Sequence, residues 1–406
     1  MRIIIIGGGP SGVVAALNAK NEQNEVIILE RNDKLLKKLL LTGNGRCNYF
    51  NENFSLSDYD SYDESKIEQI ITEKNIWNTR LFFEQLGIVP KIKNGYYYPY
   101  TNQASTIRNM LIHELNNKNI SIFYNTYVSN IEKRDGRFFI QTNNREFYAE
   151  RVVIATGSFA YPSTGCDGSG YSILKKFGHS VIPPLPALVQ LKSNFPYVKE
   201  WDGIRSEVRV DLYENDKYVD SELGEIQLTN FGISGICVFN LSNRVTRGIF
   251  NHKKEVIKIN FVPFIEALIT PWMERYSKKQ STKNIQLLLE GFINQKLVPI
   301  ILKCADIDGS KFYSDLSTEE RKTLCNYLTQ FPVEITGTKG YDNCQICNGG
   351  VRLSEIDLET MESYLVRGLY ITGELLDLNG KCGGYNLTTC WISGLLAGNS
   401  LKEKDD

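Results

Sequence analysis

Six consecutive residues, Gly7-Gly8-Gly9-Pro10-Ser11-Gly12, limit what this chain can fold into more than any others. They follow Met1 to Ile6, with isoleucine at four successive positions, and precede Val13 to Lys20, a good helix former. A strand apolar on both faces belongs inside a parallel sheet. In Gly7-x-Gly9-x-x-Gly12 the first glycine permits a tight turn and the second lets the backbone approach a pyrophosphate. The third lets helix and strand pack closely. The helix N-terminus then offers N–H groups and a positive dipole end to phosphate. Val26 to Leu29 reads as a second buried strand, ending at Glu30, where an acid accepts hydrogen bonds from a ribose diol. Strand, loop, helix, strand and acid together predict a Rossmann-type βαβ unit that holds an adenine dinucleotide through Gly7, Gly9, Ser11, Gly12 and Glu30.

At 406 residues the chain is too long for one simple core, since domains average about 150 residues. Its formal net charge of −1 supplies no basic field for nucleic acid or an anionic membrane. The apolar run Ile3 to Ile6 falls far short of the ~20 residues a membrane span needs, and it leads into glycines rather than a cleavage site. A cytoplasmic protein that acts on a small molecule, with no membrane or nucleic-acid partner, is expected; the oligomeric state is not legible. Nine scattered cysteines do not read as a secreted disulfide framework. The histidines, His113, His179 and His252, never pair at ligand spacing, so no metal centre is expected.

Residues 33–41 look helical and run into the polar glycine loop Thr42-Gly-Asn-Gly-Arg-Cys-Asn48. Residues 64–87 and 103–116 read as helices. Gly95 to Tyr98, Ile120 to Phe123, Val128 to Ile131, Phe138 to Gln141 and Val152 to Ala155 read as strands. Pro183-Pro184-Leu185-Pro186 marks a rigid boundary. Beyond it the pattern alternates, as in Glu207 to Tyr213 and Glu255 to Phe261, and predicts an antiparallel sheet or barrel. Helical periodicity takes over at residues 283–296 and 316–328. A last strand, Leu369 to Thr372, precedes a helix from about Tyr385 to Leu401. The expected fold is α/β. A discontinuous dinucleotide domain (1–186 and 342–406) carries a barrel-like antiparallel β insert (187–262 and 329–341) and a small helical insert (263–328).

Three features favour FAD over NAD as the bound dinucleotide. The glycine motif opens the chain. Val153-Ile-Ala-Thr156-Gly157 is a strand ending in a glycine turn, as where a chain returns beneath FAD. Gly368-Leu-Tyr-Ile-Thr-Gly373-Glu374, followed by a terminal helix, brings a helix N-terminus toward the isoalloxazine, whose reduced form is anionic near N1 and O2. A second G-x-G-x-x-G is missing between 160 and 330, so NAD(P)H as electron donor would dock without a Rossmann domain of its own.

These motifs make the chain resemble the BaiN/RdsA-type family of NAD(P)/FAD-dependent oxidoreductases. The resemblance rests on Thr42 to Asn48, Ala155-Thr-Gly-Ser-Phe-Ala-Tyr-Pro162, Gly168-x-Gly-Tyr171, Pro186-Ala-Leu-Val189, Gly224-Glu225 and Thr229-x-x-Gly-x-Ser-Gly235. It continues in Gly349-Gly-Val-x-Leu-x-Glu355, Gly373-Glu-x-x-Asp377 and Gly383-Gly384-Tyr385-Asn386-Leu387. It covers nearly the whole chain in order. It implies that Glu30 and Arg31 meet the adenosine, that Val128 contacts adenine through its backbone, and that Gly43, Asn44, Arg46 and Cys47 line the pyrophosphate or flavin. Thr156 and Gly157 lie at the strand end beneath the cofactor; Gly373, Glu374, Gly384, Asn386 and Leu387 lie near flavin and ribityl chain. Ser158 and Ala160 stand where the family often has Gly and Ser.

The implied reaction is NAD(P)H-dependent reduction of a carbon–carbon double bond conjugated to a carbonyl, in an apolar ring substrate. Two other readings stand beside it: a flavin oxidase of small amines, similar in plan to aminoacetone oxidase, and a non-catalytic FAD-binding redox sensor. Arg46, Tyr385 and Glu374 are the catalytic candidates. The cluster Tyr96, Tyr97, Tyr98 and Tyr100 could wall a planar substrate or simply fill core. Cys344-Gln-Ile-Cys347 has redox spacing, but a strand there would put the two thiols on opposite faces. His179 reads as structural.

Overall fold

The computed structural model describes residues 1–278 and 282–402. It divides into two compact units, Met1–Pro186 with Cys344–Asp406, and Ala187–Asn343.

The first unit is built on a five-stranded parallel sheet. Its strands in chain order are β1 (Arg2–Ile6), β2 (Glu25–Leu29), β3 (Ser121–Phe123), β4 (Arg151–Ile154) and β5 (Leu369–Ile371). In space the order is β5-β4-β1-β2-β3, so β1 lies at the centre. That position explains the isoleucine run: Ile3, Ile4 and Ile5 are fully buried because helices or loops cover both faces. Helix α1 (Pro10–Ala19) returns from β1 and packs on the C-terminal helix Tyr385–Lys402. Small residues set this contact. A Cβ on Gly394 would come within 2.6 Å of the Ser11 carbonyl oxygen, and one on Gly398 within 2.7 Å of that of Ala15. These two pairings make the helices parallel. The C-terminal helix begins nine residues before Gly394 and so extends beyond the start of α1, on the side of the glycine loop.

Local elements follow the sequence with instructive exceptions. Residues 33–41 are not an α-helix; a 3-10 segment starts only at Leu39, and Leu36 adopts φ 59°. The stretch 64–87 is broken at Ile71, because Thr72 caps a new helix through the Asn75 N–H. The prolines at 183–186 lie within an extended strand, Val181–Ala187, which pairs with Ile346–Val351. Proline is tolerated in a strand where its missing N–H has no ladder partner to satisfy.

The second unit contains a seven-stranded sheet whose neighbouring strands all pair antiparallel, with Arg205–Glu214 and Lys217–Thr229 as its long hairpin. The alternation in Glu207 to Tyr213 and Glu255 to Phe261 is borne out by two of these strands. Sequence periodicity missed the helix Ile236–Phe250, which packs on the sheet and buries Val238, Leu241 and Val245. Helices Ile285–Leu289, Val298–Ala305 and Thr318–Thr329 belong to the same unit. Residues 279–281, within the predicted helical stretch, lie outside the described residues.

One buried charge in this unit stands out. Glu255 is 1% exposed, and neither carboxylate oxygen has a hydrogen-bond partner among the described residues. Burial, with Glu214 adding repulsion, pushes its carboxyl up to about 7. The protonated form therefore belongs to the folded state, and stability falls as pH rises from the ordinary carboxylate range through about 7. Glu255→Gln keeps the neutral shape at every pH. The variant should melt a few degrees above the parent at pH 8, and the gain should vanish near pH 5; each kcal/mol is worth about 2–4 °C at this size. Thermal unfolding at the two pH values checks this, and a gain equal at both would refute it.

Candidate functional site

The glycine motif sits where the sequence places it, and its three glycines are demanded by different things. Gly7 has φ 106°, and a Cβ there would lie 2.3 Å from the Ala155 carbonyl oxygen at the end of β4. A Cβ on Gly12 would lie 2.1 Å from the Gly7 carbonyl oxygen. Protein backbone accounts for both. Gly9 is different: a Cβ there would meet nothing within 4 Å. Its bare backbone borders open space at the N-terminus of α1, where first-turn N–H groups have no intrahelical acceptor. This is the geometry a pyrophosphate requires.

Glu30 does more than wait for a ribose. Its Oε2 accepts the Gly8 N–H at 2.7 Å, and Oε1 accepts the backbone and side-chain N–H groups of Asn32, both at 2.8 Å. The carboxylate thus shapes the glycine loop while retaining a lone pair for a further donor. Arg31 pairs with Asp167 and lies 5.1 Å over the Tyr127 ring, next to Val128. Thr126, on the same segment, donates its N–H to the Glu30 carbonyl.

The loop from Thr42 to Asn48 is a tight coil of left-handed residues: φ is 57° at Gly43, 54° at Asn44, 82° at Gly45 and 58° at Cys47. Asn44 tolerates that region; Cys47 is held there by its N–H bond to the Thr42 carbonyl, 3.0 Å. The Cys47 side chain is fully buried, and burial pushes its thiol up to about 12. It packs the loop. Arg46 projects outward, with its Nε on the Gly43 carbonyl at 3.2 Å and its guanidinium 6.0 Å from the Tyr98 ring. Asn51 binds the Gly383 carbonyl, and Trp391 donates to that of Tyr49, so this region is fastened to the C-terminal helix.

Gly384 abuts Asn48, and the Asn386 side chain brackets Gly380 by accepting its N–H and donating to its carbonyl, each at 2.8 Å. Leu387 packs on the core. Gly373 has φ 71° and lies against the Ser11 side chain, which joins β5 to the start of α1. Two buried polar atoms here have no partner among the described residues: Asn48 Oδ1 and Thr156 Oγ1. Asn48 Oδ1 lies beside Gly384, and Thr156 Oγ1 lies against Gly170.

Two catalytic candidates turn out to be committed elsewhere. The Tyr385 hydroxyl donates to the Asn53 carbonyl at 3.0 Å, and burial raises it well above the ordinary phenol range. Glu374 is paired with Lys38, whose Nζ lies 2.8 and 2.6 Å from its two oxygens, and it accepts the Ser158 hydroxyl at 3.0 Å. Sequence reasoning missed Lys38, because it sits in an unremarkable run of lysines and leucines. This ammonium, raised by Glu374 against the cost of its burial, locks three loops together: 36–48, 156–159 and 373–376.

The tyrosine cluster divides by strand alternation. Tyr97 is buried and donates to Glu52, while Tyr96 and Tyr98 face the side on which Gly383, Gly43 and Arg46 lie. The Cys344–Cys347 expectation needs correcting. The strand begins only at Ile346, so Cys344 lies before it and its thiol reaches that of Cys347. His179 is structural, but through a carboxylate distant in sequence: Nδ1 meets Glu355 at 2.9 Å and Nε2 meets Ser363 at 2.8 Å. Among the described residues no cluster of His, Cys, Asp or Glu could hold a metal, and no helix is long and apolar enough to cross a membrane.

This ion pair is partly buried, 17% and 20% exposed at the side chains, and losing one member leaves a poorly compensated charge at a cost of about 1–3 kcal/mol, below that of a fully buried pair. Lys38→Met and Glu374→Gln should each destabilise by that order. The double variant should lose less than the sum of the two. Chemical denaturation of all four proteins checks the coupling; strict additivity would show that the pair does not act as one.

A family model described as "HI0933-like protein Rossmann domain" matches residues 1–400. A 3-dehydro-bile acid delta(4,6)-reductase of Clostridium scindens is 36% identical over 407 residues, covering 99% of each chain. A ribosomal RNA dihydrouridine synthase of Escherichia coli K12 is 26% identical, covering 98% of this chain and 97% of that one. Among solved structures, the 3-ketosteroid-delta4-(5alpha)-dehydrogenase of Rhodococcus jostii RHA1 superposes with a TM-score of 0.50 at 15% identity, covering 99% of this chain and 96% of that one, and so shares the fold.

Proposed function

The chain belongs to the HI0933-like family of Rossmann-domain proteins, and on that premise we propose that it is an FAD-dependent reductase. Its reaction would saturate a carbon–carbon double bond conjugated to a carbonyl in an apolar ring substrate, with electrons from NAD(P)H. The coarser part, an FAD-dependent oxidoreductase, rests on the family and on one observation above all: the open backbone at Gly9, which no protein atom explains. The finer part draws on the relatives' names. A bile acid delta(4,6)-reductase and a dihydrouridine synthase both saturate carbon–carbon bonds activated by a carbonyl.

In this reading Gly7, Gly9, Ser11 and Gly12 hold the pyrophosphate, and Glu30, Arg31 and Val128 hold the adenosine. Gly43, Asn44, Arg46, Thr156, Gly157, Gly373, Glu374, Gly384, Asn386 and Leu387 surround the flavin side; Cys47 shapes its loop. Bound FAD would supply the hydride. The chain's own residues would anchor the carbonyl: the Arg46 guanidinium presents donors to an oxygen that gains negative charge. The hydroxyls of Tyr96 and Tyr98, raised by burial, stay protonated and able to donate. With Tyr385 and Glu374 committed to internal partners, Arg46 is the candidate left facing outward.

A second acceptor class is a uracil ring in RNA, favoured by the name of the Escherichia coli relative. Uracil offers the same conjugated bond. A net charge of −1 supplies little attraction for an RNA backbone, which weighs toward the small apolar acceptor.

Two experiments test the proposal. Gly9→Ala should fold and melt like the FAD-free parent and take up no FAD, whereas Gly12→Ala should lose stability relative to that same FAD-free parent; a Gly9→Ala protein that keeps its yellow colour would refute the cradle. Anaerobic addition of NADH or NADPH should bleach the flavin. Steroid enones should then restore the oxidised spectrum faster than an rRNA fragment does. Failure to bleach, with peroxide formed from small amines instead, would favour the oxidase.

A further inference from the structure

All nine cysteines are thiols in the structure, and two of them touch. Cys344 and Cys347 share a thiol–thiol hydrogen bond, and they are 0% and 2% exposed. Cys347 sulfur is also within hydrogen-bonding reach of the Ser158 hydroxyl and the Phe159 N–H. Both donors lie in the segment that follows the Thr156-Gly157 turn. The Ser158 hydroxyl is at the same time 3.0 Å from Glu374 Oε2, and Glu374 carries Lys38. One hydroxyl proton therefore has two acceptors, a sulfur on one side and a carboxylate on the other.

We propose that Cys344 and Cys347 form a peroxide-sensitive dithiol that closes to an intrachain disulfide beneath the 156–159 turn. The pair is independent of any bound cofactor. Cys347 is the attacking sulfur. Its thiolate is favoured first by the Cys344 thiol, then by Ser158 and Phe159, and together these outweigh burial and hold it below its ordinary value. Cys344, pushed upward by Cys347 and by burial, keeps its proton and is the resolving thiol.

The chemistry balances in two steps. Cys347 sulfur attacks one oxygen of hydrogen peroxide; an S–O bond forms, the O–O bond breaks, and the departing hydroxide takes the thiol proton as water. Cys344 sulfur then attacks the sulfenic sulfur; the S–S bond forms, the S–O bond breaks, and a second water leaves with the Cys344 proton. Two thiols lose two electrons and two protons, and one peroxide becomes two waters.

Burial chooses the oxidant. Hydrogen peroxide is close to water in size, whereas a tripeptide disulfide cannot reach a sulfur that is 2% exposed. Closing the bond also removes the thiolate as an acceptor. The Ser158 proton then belongs to Glu374 alone, so the oxidation state of the pair is felt at the ion pair that ties the loops of the cradle.

The test uses the full chain. A few equivalents of hydrogen peroxide are added to the native protein, which is then denatured in an alkylating agent and mapped by mass spectrometry. Two of the nine thiols should be lost, in one peptide spanning 344–347 that is lighter by two hydrogens and restored by dithiothreitol. Oxidised glutathione should leave both unmodified. Cys344→Ser should trap a sulfenic acid at Cys347, captured by dimedone, and Cys347→Ser should leave Cys344 alkylated; circular dichroism confirms that both variants fold. Full alkylation of both thiols after peroxide would overturn the proposal. So would a sulfenic acid on Cys347 that persists in the parent, or a dimedone adduct on Cys344 in place of Cys347.

Discussion

The approach of the Gly7 backbone to the Ala155 carbonyl fixes how the first loop lies against the end of β4, and the cradle depends on it. With 2.3 Å available where a Cβ would sit, no other residue fits without moving one strand end from the other. That contact sets the level of the glycine loop on the sheet. Gly12, pressed on the Gly7 carbonyl, fixes where α1 departs. Gly394 and Gly398 then let the C-terminal helix lie close enough to α1 to overshoot it. These four backbone approaches thus set how α1 and the C-terminal helix lie at this end of the sheet, using residues far apart in the chain.

Hydrogen bonds and one ion pair carry the same logic into the loops. Glu30 organises the Gly8 to Asn32 neighbourhood from the β2 side. Lys38 and Glu374 join residues 336 positions apart, with Ser158 as the third member. Such a pair adds little net stability over apolar packing, but it is costly to break, so it selects one arrangement of loops over others. The loops around the cradle are thus held by specific contacts rather than by bulk burial.

Much of this was legible in the sequence, and the reason is physical. Backbone-dictated motifs announce themselves: only glycine satisfies the close approaches at positions 7 and 12, and only a run of β-branched apolar residues suits the centre of a parallel sheet. The five strands, α1 and the C-terminal helix were all readable for that reason. What was not readable depends on tertiary partners. Thr72 caps a helix that periodicity alone joins to its neighbour. Residues 33–41 have helical composition, yet Leu36 takes a left-handed turn to give its N–H to the Gly8 carbonyl. The helix Ile236–Phe250 was hidden inside a region of alternating strands. Lys38 carries no local signal, since its meaning comes from Glu374. The same holds for Cys344, which strand alternation would turn away from Cys347 had the strand begun two residues earlier.

The side chains around the cradle also explain why cofactor and chemistry are unequally marked in the sequence. A dinucleotide is recognised by backbone geometry, which leaves a spacing pattern. A flavin supplies the reactive atom itself, so the protein need contribute only placement and charge. Of the polar groups expected to act, Glu374 is paired with Lys38, Tyr385 donates to the Asn53 carbonyl, and Cys47 is buried. What faces outward is Arg46, with Tyr98 beside it and Tyr96 against Gly383. Differences in substrate among chains built on this frame would then arise from the loop 42–48 and the strand Tyr96–Pro99, while the cradle beneath stays the same.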